Sequence, residues 1–145
     1  MPERTLVMLK PDAVDHGEWI PQIKQRYTDA GLKIIYENRF RMTYQQAYYF
    51  YYEHADKFFF SGLKLAMSSG PSIVLILEGD NVIEQVRKLN GATNPDKAEP
   101  GTIRRDFYSA GGPFNTVHGS ANQQDFEREY DWFLRWGLIK EPLAA

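Results

Sequence analysis

The residues with the most pointed chemistry lie in Gly111-Gly112-Pro113-Phe114-Asn115-Thr116-Val117-His118-Gly119-Ser120. Thr116-Val117 is a β-branched pair suited to the end of a strand. Glycines stand on either side, and a backbone with so little side-chain cover lets a ligand approach a single imidazole closely. Downstream, Asn122 can cap a helix whose apolar stripe is Phe126, Tyr130, Phe133 and Leu134. Glu129 falls on the flank of that stripe. A carboxylate half-turned toward a core needs a partner, and His118 lies just upstream of the helix. The chemistry in view is a nucleophilic histidine oriented by a glutamate. The alternative is a structural histidine beside a solvated glutamate.

Other polar residues stand at element ends or in a long loop, where sites are built. Lys10 ends the first apolar run, and Arg87 edges a helical stripe. Thr93, Arg104 and Arg105 belong to the loop, with Asn115 three residues before His118. Converging on the histidine, these groups would form a phosphate clamp with a nucleophile in it; singly, each is a solvated charge or a loop hydrogen bond. Phe58-Phe59-Phe60 cannot all face one core, so at least one ring is exposed, as a seat for a nucleobase or as part of a subunit interface. His16, His54 and His118 lack helix-ligand spacing, so no dedicated metal site is expected. There is no G-x-x-x-x-G-K-[ST] loop and no G-x-G-x-x-G.

The elements that must position these groups follow from periodicity. Thr5-Leu6-Val7-Met8-Leu9 is a buried strand that runs into a loop at Lys10-Pro11-Asp12. Residues 17–30 form a helix with Trp19, Ile20, Ile23 and Tyr27 on one face, and Gly31 closes it. Residues 33–42 form a second strand, with Ile34, Tyr36 and Phe40 on one side. Thr43-Tyr44-Gln45-Gln46 is a capping box that opens a helix to about Glu53, and residues 58–67 form another helical piece. Residues 72–77 are the third strand. Asp80 or Asn81 caps a helix carrying Val82, Ile83, Val86 and Leu89, closed by Gly91. Residues 91–119 are rich in glycine and proline with little periodicity, and a connection so long is usually functional. Residues 116–118 make a short fourth strand and 122–135 the last helix. The tail from residue 137 to 145 reads as a surface extension or subunit contact.

This order predicts an α+β, ferredoxin-like βαββαβ sandwich: a four-stranded antiparallel sheet with helices packed on one face. At 145 residues, with 43% hydrophobic and 25% charged residues, one domain is expected, with residues 136–145 as its extension. A net charge of −2 gives no footprint for nucleic acid. There is no cysteine, which excludes disulfides and fits a cytoplasmic setting. No apolar run is long enough to span a membrane and no signal pattern opens the chain, so a soluble, unexported protein is expected.

Asn115-Thr116-Val117-His118-Gly119-Ser120 resembles the active-site signature of nucleoside diphosphate kinases. So do Arg4-Thr5-Leu6 with Lys10-Pro11-Asp12, Ser69-Gly70-Pro71, Gly91-Ala92-Thr93-Asn94-Pro95 and Pro100-Gly101-Thr102-Ile103-Arg104, in order along nearly the whole chain. The resemblance implies ping-pong transfer of a γ-phosphoryl group from a nucleoside triphosphate to a nucleoside diphosphate through a phosphohistidine. By motif match His118 is the nucleophile and Glu129 holds its ring. Arg87, Thr93 and Arg104 bind the terminal phosphates, Lys10 and Asn115 contact sugar and phosphate, Tyr51 sits beside the transferring group, and Phe59 stacks on the base. Mg²⁺ would arrive on the nucleotide phosphates without a protein cage, and the family assembles as hexamers or tetramers of a common dimer.

This chain departs from the family's usual pattern in four places. Ala121-Asn122 replaces Asp-Ser, residues 109–114 are one residue longer, Arg105 replaces a small residue, and Phe58 replaces proline. None of these removes a catalytic group, so an active enzyme is expected. Two other readings are a ferredoxin-like module for single-stranded nucleic acid and an inactive relative. The acidic balance and the lack of a basic-aromatic strand oppose the first. The intact set of His118, Arg87, Arg104, Asn115 and Lys10 opposes the second.

Overall fold

Leu6, Val7, Met8 and Leu9 are all fully buried, which a strand achieves only with cover on both faces. In the computed structural model, which describes residues 3–144, they lie in β1 (Glu3–Leu9). The first two and the last residue of the expected domain, and of its tail, lie outside the described residues. Leu6 and Met8 point into one apolar cluster, Val7 and Leu9 into another. β3 (Pro71–Gly79) repeats the pattern, with Val74 and Ile76 on the first side and Ile73, Leu75 and Leu77 on the second.

The sheet order is β2-β3-β1-β4, with β2 (Lys33–Arg41) and β4 (Val117–Gly119) at the edges and every pairing antiparallel. The fold is ferredoxin-like, as the element order predicts. Helices cover both faces, however, and not one. α3 (Tyr44–Phe50), α4 (Phe60–Ser68) and α7 (Gln123–Arg135) bury Phe50, Phe60, Phe126 and Phe133 on the first side. α1 (Pro11–Asp15), α2 (Trp19–Asp29), α5 (Val82–Asn90) and α6 (Ile103–Asp106) bury Ile23, Tyr27, Val86 and Ile103 on the second.

Other local differences have physical causes. A bulge between Ile34 and Tyr36 makes Ile34 pack on the second side while Tyr36 and Phe40 pack on the first, so the expected common face breaks. Pro11 opens α1 where a loop was expected; proline is tolerated in a first helical turn. The Thr43 capping box is formed, but α3 ends at Phe50 and a single 3-10 turn, Tyr52–His54, completes the segment. Asn81 precedes α5 at φ 52° and makes no side-chain cap. The tail is no free extension: Leu138 and Ile139 are buried in the first cluster, and Lys140 N–H donates to the Tyr36 hydroxyl at 2.9 Å.

Candidate active site

β4 pairs with β1 so that His118 lies opposite Met8. Thr116, immediately before β4, has φ 74°, a strained region for a β-branched residue. Three contacts hold it there. Its N–H donates to Asp12 Oδ2 at 3.0 Å, its hydroxyl donates to the Phe107 carbonyl at 2.7 Å, and its carbonyl accepts from Lys10 N–H at 3.0 Å. The sharp turn leads straight into β4, whose middle residue is His118, with its side chain 22% exposed.

His118 Nε2 lies 3.1 Å from both carboxylate oxygens of Glu129, which projects from α7. A carboxylate accepts hydrogen bonds only, so Nε2 carries the proton and donates, leaving the lone pair on Nδ1. The rings of Phe50 and Tyr51 meet the imidazole edge-on, at centroid distances of 5.7 and 6.5 Å. Glu129 is buried, which alone would raise its pKa. The His118 ring that hydrogen-bonds it, the Ser120 hydroxyl donating at 2.7 Å and the Arg128 guanidinium at 3.7 Å outweigh burial and hold the carboxyl below its usual range.

Three cations flank the histidine. Lys10 is buried and donates from Nζ to Asn115 Oδ1 at 2.6 Å and to the Pro113 carbonyl at 2.7 Å. Burial lowers its pKa to about 8, with Arg104 reinforcing and Asp12 opposing the fall. Arg104 donates to the backbone carbonyls of Gly91, Val117 and Asn115 at 2.7, 2.8 and 3.2 Å. Arg87 donates to the Ala121 carbonyl at 3.2 Å. Asn115 Nδ2 donates to the Thr93 carbonyl at 3.0 Å, tying the long loop to Lys10. Among the described residues none of Lys10, Arg87 and Arg104 pairs with a carboxylate within 4.0 Å. Clustered positive charge with no carboxylate in direct contact calls for an external anion.

Lys10, Tyr51, Phe59, Arg87, Thr93, Arg104, Asn115, His118 and Glu129 all line one open cleft of about 1540 Å³, above the ~300–1,000 Å³ of ordinary ligand pockets. Phe60 is buried, Phe59 is 39% exposed at the cleft, and Phe58 is 98% exposed on its rim. Arg105 is exposed and does not line the cleft, and His16 stacks on Trp19 elsewhere. Sequence reasoning missed the contacts of Ser120 and Arg128 with Glu129, which depend on how β4 docks against α7. It also missed Asn90, whose signal was a polar residue four positions beyond Val86 on an apolar stripe.

Residues 3–137 match the family model described as nucleoside diphosphate kinase. The nucleoside diphosphate kinase of Rhodospirillum centenum is 42% identical over 132 residues, 91% of this chain and 93% of that one. That of Thermus thermophilus is 42% identical over 133 residues, covering 92% and 96%. Among solved structures, the nucleoside diphosphate kinase of Aquifex aeolicus superposes with TM-score 0.85 at 34% identity, covering 92% of this chain and 95% of its own. That of Encephalitozoon cuniculi gives 0.86 at 30% identity, covering 98% and 94%.

Proposed function

The chain belongs to the nucleoside diphosphate kinase family, and from that premise we propose that His118 carries the phosphoryl group between nucleotides. As a nucleoside diphosphate kinase it is a phosphotransferase acting on nucleoside triphosphates and diphosphates. The observation that supports the site is the carboxylate-free set of Lys10, Arg87 and Arg104 beside an imidazole whose Nε2 is taken by Glu129.

The Nδ1 lone pair attacks the γ-phosphorus in line with the β–γ bridging oxygen. The N–P bond forms as the P–O bond breaks, and that electron pair leaves on the nucleoside diphosphate. The ring, still protonated at Nε2, becomes cationic, and the Glu129 carboxylate balances it. A second nucleoside diphosphate then attacks the phosphorus through a terminal oxygen, and the N–P electrons return to the ring. Arg87, Thr93 and Arg104 bind the terminal phosphates, and Lys10 and Asn115 hold sugar and phosphate. Burial, reinforced by Glu129, keeps the Tyr51 phenol protonated, so it acts beside the transferring group as a donor. Phe59 stacks on the base.

Mg²⁺ enters on the nucleotide. No group of three or more His, Asp or Glu side chains among the described residues is arranged to hold a metal, and the cleft offers the phosphates cations instead. Carried by the nucleotide beside Lys10, Arg87 and Arg104, the ion would supply further neutralisation of charge at the transferring group. The same reading extends to one domain over residues 1–145 with 136–145 as its extension, to a homo-oligomer, hexameric or tetrameric, built from dimers, and to a cytoplasmic enzyme. No helix among the described residues is long and apolar enough to cross a membrane.

Incubation with γ-labelled ATP and Mg²⁺ tests the assignment. The protein should take up acid-labile, base-stable label that a nucleoside diphosphate removes. His118→Ala should take up none, and Glu129→Gln should label roughly ten- to a hundredfold more slowly, the range for losing an oriented hydrogen bond to a developing charge. A His118→Ala variant that exchanges phosphate at the parental rate would refute it.

A further inference from the structure

α5 ends in a polar residue where its apolar stripe calls for a hydrophobic one. Val82, Val86 and Asn90 recur at intervals of four, and Asn90 is 1% exposed. The Tyr27 hydroxyl, also fully buried, donates to Asn90 Oδ1 at 2.5 Å. That bond takes the carbonyl end of the carboxamide and leaves Nδ2 on the other side, against β4, where a Cβ built on Gly119 would lie 2.9 Å from it. Nδ2 is a double donor, and among the described residues no acceptor takes a hydrogen bond from it. Asn90 lines the cleft together with Arg87, Gly91, Arg104, His118 and Gly119. A buried side chain whose carbonyl is held by a second buried polar group thus stands in the wall that carries the two guanidiniums, with its amide N–H groups given to no acceptor among the described residues.

We propose that Asn90 is a further phosphate-binding residue. Its side-chain N–H donates to an oxygen of the phosphate held by Arg87 and Arg104 next to His118. A neutral donor adds direction to a clamp that otherwise works by charge, and the anion satisfies an amide the fold leaves open. The assignment rests on the reading of the cleft as a nucleotide site.

Calorimetric titration of the full chain with Mg²⁺·ADP and, separately, with adenosine tests it. Asn90→Leu should weaken ADP about tenfold, the worth of one hydrogen bond to a charged acceptor, and leave adenosine unchanged. Tyr27→Phe removes only the hydroxyl that aims the amide and keeps the core volume. It should weaken ADP by a smaller factor, again sparing adenosine, and it carries the test if leucine at position 90 disturbs α5. ADP affinity unaltered in both variants, or ADP and adenosine weakened alike, would overturn the role of Asn90 alone. A parent protein that binds neither ligand would overturn the nucleotide reading with it.

Discussion

Lys10 is held by two oxygens in a buried position, and its pKa of about 8 places its charge within reach of ordinary buffers. Binding of a phosphate needs the protonated form. As pH rises through about 8 the free protein loses that proton, so nucleotide affinity should fall on the alkaline side. Lys10→Gln should bind nucleotide more weakly throughout and lose the alkaline fall, which titration from pH 7 to 9 would reveal. An alkaline fall retained by Lys10→Gln would point to another group. Glu129 titrates with the opposite sign. Its folded pKa lies below its unfolded one, so its contribution to stability is full above the ordinary carboxylate range and lost as pH falls through the folded value. Glu129→Gln should therefore flatten the acid limb of stability measured by urea unfolding. His118 and Glu129 were legible as a pair, because one helical stripe puts the carboxylate on the flank facing the strand. Ser120, Arg128 and Asn90 were not, because their partners sit on elements that meet only in the folded chain.

At the scale of elements, α3 supplies Phe50 and, one residue past its end, Tyr51, the two rings against His118. Its start is fixed by Thr43, whose hydroxyl accepts from Gln46 N–H at 3.0 Å while the Gln46 side chain accepts from Thr43 N–H at 2.9 Å. Thr43→Ala should cost about 1 kcal/mol, the usual worth of such a cap, read as a lower urea midpoint with an unchanged slope. A loss well above that would mean α3 carries more than its own turn. The capping box was legible in four residues. The bulge at Ile34 and Tyr36 was not, since alternation reads the same with or without an inserted residue until the pairing partner is known. Likewise Lys10-Pro11-Asp12 signals both a loop and a first helical turn, and the contacts of Asp12 with Thr116 and Ser109 decide for an ordered α1.

Across the whole molecule, the sheet works as a partition with a helical layer on each side, and the site opens at the edge where β4, α5 and α7 meet. The continuous apolar runs of β1 and β3 held that information: a strand covered on one side alternates, and these do not. Gly119 shows how tightly the layers close on the site. A Cβ there would lie 2.9 Å from Asn90 Nδ2 and 3.2 Å from Val86 Cγ1, so Gly119→Ala should push α5 from β4. The cost should be about 1–3 kcal/mol, as for other overpacked cores, together with slower phosphoryl uptake, both measurable on one preparation. A single nitrogen, His118 Nδ1, is proposed to receive the phosphoryl group because Glu129 occupies the other. Phosphorus NMR of the protein labelled with Mg²⁺·ATP, unfolded in alkali and compared with the two phosphohistidine isomers, tests it most directly. The expected result is one signal from the Nδ1 isomer, absent in His118→Ala. A signal from the Nε2 isomer, or from any residue other than His118, would contradict it.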